Sequence, residues 1–101
     1  MWRKTGDAAL PKYEVFIAEE YDKQLKKITK SDKALIEKKM KEHVIPQLKS
    51  EPHFGTNIKK LKNYDPPTWR YRIGKYRVFY EVDAETMEVD ILTISQRKDA
   101  Y

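Results

Sequence analysis

Residues 68–82 read TWRYRIGKYRVFYEV. Two alternating runs flank Gly74-Lys75, and a glycine at the first central position suits a two-residue type II′ hairpin turn. That turn sets the pairing: Ile73 faces Tyr76, Arg72 faces Arg77, Tyr71 faces Val78 and Arg70 faces Phe79. One face then carries Tyr71, Ile73, Tyr76, Val78, Tyr80 and Val82, and the other carries Arg70, Arg72 and Arg77. Like charges directly opposed on a sheet are destabilising. Three guanidinium groups on one face therefore point to a bound anion, and an RNA phosphate is the one expected.

Working outward, residues 83–86 form a turn and residues 87–95 a last strand. The expected register sets Val82 against Met87, Tyr80 against Val89 and Val78 against Ile91. Glu81, Glu88, Asp90, Leu92 and Ile94 then fall on the arginine face. Upstream, Pro66-Pro67 makes residues 63–68 a loop, residues 58–62 suit a short basic strand, and Pro52 and Gly55 mark a loop at 51–56. Residues 12–18 alternate, with Tyr13, Val15 and Ile17 on one face, as a strand does. Tyr21, Leu25 and Ile28 then recur at helical spacing, with Glu19 and Glu20 in the first turn, where the helix dipole favours them. Ser31 suits the N-cap of a second helix with the stripe Ile36, Met40 and Val44. Pro46 ends or kinks that helix, and residues 47–50 can continue it.

The fold class this order predicts is α+β in two layers: one antiparallel sheet with an N-terminal helical hairpin on its apolar face, in the order strand-helix-helix-strands. The arginine face is expected to be uncovered. Residues 1–11 read as a loose arm, and residues 12–101 as a single domain. At 101 residues the chain has room for one modest core.

The formal net charge of +5 favours an acidic partner, either nucleic acid or protein. Four of the five arginines (Arg70, Arg72, Arg77 and Arg97) fall in the last third, whereas Lys dominates the helical region. Arg is the better bidentate phosphate ligand. The absence of cysteine excludes disulfides, a thiolate zinc site and a Cys nucleophile. It also fits a reducing cytosol. No apolar run approaches the roughly 18–20 residues of a membrane span. The first twelve residues lack the apolar core of a secretory signal. A cytoplasmic location is expected. His43, near the apolar stripe, reads as structural, and His53, in a loop, as solvated. Neither has another ligand at metal spacing, so no metal and no cofactor are expected.

The stretches KLKNY (60–64), WRYRIGKYRVFYEVD (69–83) and ISQRKDAY (94–101), with the element order, resemble the RelE/ParE superfamily of bacterial and archaeal type II toxins. The resemblance covers roughly residues 12–101. It implies a microbial-ribonuclease-like sheet and a toxin neutralised by a cognate antitoxin. The RelE branch cleaves messenger RNA on the ribosome without a metal and halts translation; the ParE branch inhibits DNA gyrase. By this resemblance Arg70, Arg72, Arg77, Arg97 and Tyr101 are the catalytic set; Lys60, Lys62, Gln96 and Lys98, beside them in the sequence, are the expected RNA contacts.

Two departures stand out. Several relatives have Lys where this chain has Arg70 and Arg72, and many have His where it has Gln96. Arg, with a pKa above about 12, does not act as a general base, and Gln does not move a proton. Phosphate binding survives both changes; the base and acid of RNA cleavage stay unassigned, with Glu81, Lys60 and Lys62 in range as bases. Three readings therefore stay open: an mRNA interferase, a gyrase inhibitor, and a catalytically weak module that binds RNA or antitoxin. The competing reading of the arginine face is ion pairing with Glu81, Glu88 and Asp90.

Overall fold

A computed structural model describes residues 12–96. The arm at 1–11, and Arg97, Lys98 and Tyr101 of the expected site, lie outside the described residues. The first strand, β1, spans Glu14–Ile17. Helix α1 (Glu19–Lys26) follows, with Glu19, Glu20 and Asp22 in its first turn and Lys23 and Lys26 in its last, both favourable to the helix dipole. It buries Tyr21 and Leu25.

Helix α2 (Lys30–Lys39) is capped by Thr29, whose hydroxyl accepts from the Asp32 N–H at 3.4 Å. The expected cap at Ser31 is thus displaced by two residues. Thr29 already has the extended backbone a cap needs, and Ser31 lies inside the first turn.

Beyond Lys39 the helix widens into a π turn over Met40–Val44 and continues as α3 (Ile45–Ser50). Pro46 explains the widening. It has no N–H for the Glu42 carbonyl, and its ring would press on that carbonyl. The Ile45 N–H instead reaches five residues back to the Met40 carbonyl. The helix so continues past the proline, keeping Ile36, Met40, Val44 and Leu48 buried. Leu35, beside this stripe in the sequence, is about half exposed.

Strands β2 (Ile58–Lys60), β3 (Thr68–Ile73), β4 (Tyr76–Asp83) and β5 (Glu88–Ser95) form an antiparallel meander. The hairpin pairs as expected, Arg72 against Arg77 and Ile73 against Tyr76. Gly74 sits at φ 56° and Lys75 does not share a positive φ, as a type II′ turn requires.

Two expectations need correction. The sheet order is β1-β5-β4-β3-β2, and β1 runs parallel to β5, so the sheet is mixed rather than wholly antiparallel. The helical stretch carries the chain from one edge of the sheet to the other, and the meander returns to lie beside β1. The register of β5 also differs. Val82 pairs with Val89, Tyr80 with Ile91 and Val78 with Ile94, and Leu92 is the extra residue of a β-bulge. Its insertion reverses the facing of everything after it. Ile94, expected on the arginine face, is therefore 2 % exposed in the core.

The core lies between the helices and the face carrying Trp69, Tyr71, Ile73, Tyr76, Val78, Tyr80, Val89, Ile91 and Ile94. The Tyr80 hydroxyl is buried and donates to the Pro52 carbonyl at 2.7 Å. Helix α1 packs along β5, and α2 meets the hairpin through the Tyr76 hydroxyl, which donates to Asp32 at 2.6 Å. A groove of about 700 Å³ opens between α1 and α2–α3, lined by Ile17, Tyr21, Leu25, Met40 and Ile45. The short link between these helices does not by itself make them a closely packed pair.

Candidate anion-binding face

Residues opposite one another in a sheet share a face, so the register assembles the site in rungs. The rung nearest the turn is Arg72, Arg77 and Ser95. The next is Lys59, Arg70, Phe79 and Thr93, and the third is Thr68, Glu81 and Asp90. Arg70, Arg72 and Arg77 come together as expected. Arg72 is exposed, and Arg70 and Arg77 are half-buried.

Their hydrogen bonds are to main-chain carbonyls: Arg70 Nη1 donates to Asn57 O at 2.8 Å and Arg72 Nε to Gly74 O at 3.4 Å. Burial first, then the charges of Arg77 and Arg72, pulls the Arg70 guanidinium below its usual pKa. The cations thus feel one another. The ion pairs among the described residues are Lys75–Asp32 and, when the imidazole is protonated, His53–Glu51. The competing reading, an arginine face neutralised by its own carboxylates, has no contact behind it among the described residues. Glu81 instead faces Asp90, and burial first, then that like charge, raises its pKa.

The face is not wholly open. Phe79 and Thr68 are 2 % and 1 % exposed, so the second and third rungs include closely covered ground. An apolar ring on that face gains by leaving water, which the count of arginines alone did not convey.

The other expected contacts scatter. Lys60 pairs with Trp69, so it lies on the opposite face, its ammonium 5.5 Å from the Trp69 ring centroid. Lys59 takes the place beside Arg70. Lys62 is exposed in the turn after β2. Gln96, just past β5, lines a hollow of about 580 Å³ with Gln24, Thr29 and Tyr76 on the helical side.

Both histidines depart from expectation. His53 is half-buried, edge-on to Trp69 at 5.1 Å between ring centroids, with its Nδ1 3.3 Å from Glu51. It was drawn in because its loop folds over the β3 end of the core. His43 is exposed, and with Lys39, Asn57 and Arg72 it lines a second pocket beside the arginine rungs. Lys59 and this pocket were missed because both depend on the β2 register, which the irregular loop at 61–67 leaves undetermined.

Among the described residues no group of three His, Cys, Asp or Glu can hold a metal ion, and no helix is long and apolar enough to cross a membrane. The face can bind phosphate through directed, charge-assisted hydrogen bonds and can stabilise developing negative charge. Its arginines do not transfer protons.

This fold recurs in solved toxin structures. The toxin–antitoxin complex RelBE2 of Mycobacterium tuberculosis matches with a TM-score of 0.64 at 26 % identity, covering 89 % of this chain and 95 % of that one. The RelE–RelB complex of Pyrococcus horikoshii matches with a TM-score of 0.55 at 24 % identity, covering 88 % and 99 %. The isolated RelE toxin of Escherichia coli matches with a TM-score of 0.61 at 20 % identity, covering 87 % of each chain. A search of curated protein sequences gives no match. The class is thus the RelE/ParE superfamily of type II toxins. Residues 15–101 match the model for the ParE toxin of type II toxin-antitoxin systems (parDE), and the chain belongs to that family.

Proposed function

We propose that this toxin is an endoribonuclease that cleaves ribosome-bound mRNA without a metal and so arrests translation. The observation that carries this reading is the set of three guanidinium groups on one sheet face, Arg72 directly opposite Arg77, none ion-paired to a carboxylate among the described residues. Metal-free cleavage is an attack by the ribose 2′-OH on its own 3′-phosphate. It needs positive charge where the phosphorane-like transition state forms. Arg70, Arg72 and Arg77 supply that charge. Arg97 assists the leaving 5′-oxygen and Tyr101 stacks on a base, with Lys98 on the RNA backbone. Of the carboxylates on this face, Glu81 has the raised pKa that suits a proton acceptor.

The partner is a cognate antitoxin, a reading supported by the two similar toxins solved as complexes. A second reading, a ParE-type inhibitor of gyrase, is favoured by the family match. A third, a binding module without catalysis, is favoured by the arginines and Gln96 standing where proton-transfer residues occur in the RelE branch.

Pulse labelling of protein and DNA synthesis after induction of the toxin alone separates these readings. Early loss of protein synthesis is expected. Early arrest of DNA synthesis with translation continuing moves the assignment to gyrase, and no arrest of either moves it to the binding module.

A further inference from the structure

The pocket beside the arginine rungs holds about 300 Å³. Lys39 and His43 line it from the helix, Asn57 from the segment before β2, and Arg72 from β3. Val44 and Ile73, 0 % and 6 % exposed, form its apolar wall. Among the described residues no carboxylate lines it. Among the described residues the side chains of Lys39, His43 and Asn57 make no hydrogen bond or ion pair; the Asn57 main-chain carbonyl is taken by the Arg72 N–H at 3.0 Å and by Arg70 Nη1.

Lys39 and His43 stand four residues apart at the π turn, which holds them on one side of the helix. Such turns are rare and occur frequently at functional sites. Arg72 belongs both to this pocket and to the rung with Arg77. An anion here is therefore a direct neighbour of one held on the sheet.

We propose that the Lys39–His43–Asn57–Arg72 pocket binds a second phosphate of the RNA strand, adjacent to the phosphate held by Arg70, Arg72 and Arg77, and so fixes the register of the strand on the sheet. The inference rests on the RNA reading and adds a subsite to it. A volume near the lower end of small-ligand pockets takes a phosphate with part of its ribose. It does not take a peptide helix, which favours the nucleic acid over a protein partner.

The test uses the full chain, inorganic phosphate, and a single-stranded 2′-O-methyl RNA, whose blocked 2′-oxygen cannot attack the phosphate. Lys39→Ala/His43→Ala is compared with Lys38→Ala, which removes one exposed charge from the same helix outside the pocket. Both ligands are expected to shift the NMR signals of the His43 ring and the Asn57 side-chain amide. The double variant is expected to bind the RNA about tenfold more weakly. Its slope of log K against log salt is expected to fall by about 0.7, the value of one phosphate on a single strand. Lys38→Ala should do neither.

Unchanged RNA affinity and slope in the double variant overturns the proposal. So does a pocket that answers to inorganic phosphate alone, or one whose loss weakens an acidic peptide and not the RNA. A wild-type toxin that binds the uncleavable RNA through this pocket but never cuts ribosome-bound mRNA leaves the subsite standing and removes the nuclease reading.

Discussion

Arg77 and Tyr80 share strand β4 but face opposite ways, and that difference separates binding from folding. Arg77→Ala removes a phosphate ligand and relieves repulsion with Arg72. It is expected to abolish growth arrest while stability stays within about 0.5 kcal/mol of wild type. Tyr80 is fully buried with its hydroxyl bonded, so Tyr80→Ala should cost about 3 kcal/mol or more. Thermal melts of both check this, and an Arg77→Ala protein melting far below wild type would make that arginine structural. Glu81 allows a prediction in pH. Its folded pKa is raised, so its ionisation opposes folding: the protonated form is favoured at low pH, and that advantage is lost as pH rises through the folded pKa. Glu81→Gln is therefore expected to be neutral or stabilising at pH 7 and indistinguishable from wild type in acid, below the pKa of an unfolded glutamate. Denaturant titrations at the two pH values decide it; a destabilised variant at pH 7 would show that the carboxylate has a favourable partner.

How much of each element was legible depended on what fixed its register. The β3–β4 hairpin was readable residue by residue because a two-residue turn leaves no freedom in the pairing. The turn can itself be tested. Among the described residues nothing lies within 4 Å of a Cβ added at Gly74, so its φ of +56° is the obstacle to a side chain. Gly74→Ala should cost about 1 kcal/mol, the penalty of a left-handed backbone, and a melt that does not move would sink the turn assignment. The pairing of β4 with β5 was less legible. A longer loop with Met87 at φ 59° shifts the start, and the Leu92 bulge reverses the pattern halfway, which no alternation count can register. The parallel seat of β1 was hidden because periodicity names a strand's buried face, never its neighbour. In the helical region the stripe Ile36, Met40 and Val44 was plain, yet His43, one residue from Val44, was placed with it and in fact faces solvent. The site was legible to the same degree: its three arginines follow from the hairpin, whereas Lys59 and the second pocket need the position of β2.

Across the whole molecule, the excess of +5 charge, the basic rungs and the apolar groove between α1 and α2–α3 offer an antitoxin two different footholds. We expect neutralisation to work on the basic face. Carboxylates seat on guanidinium groups as readily as phosphates do, so an acidic segment laid across Arg70 and Arg72 excludes the RNA directly. Attraction between surface charges is screened over about 8 Å at physiological ionic strength. Affinity for the antitoxin should therefore fall clearly from low to high salt, and Arg70→Glu and Arg72→Glu should each weaken it further. A partner helix seated in the groove predicts the reverse, because burial of Tyr21, Leu25 and Met40 against apolar side chains is nearly indifferent to salt and to charge reversal on the far face. Titration of the antitoxin into wild type and both variants at several salt concentrations distinguishes the two. Affinity that ignores both salt and the reversals would exclude the basic face as the antitoxin's direct target and leave the groove as its seat.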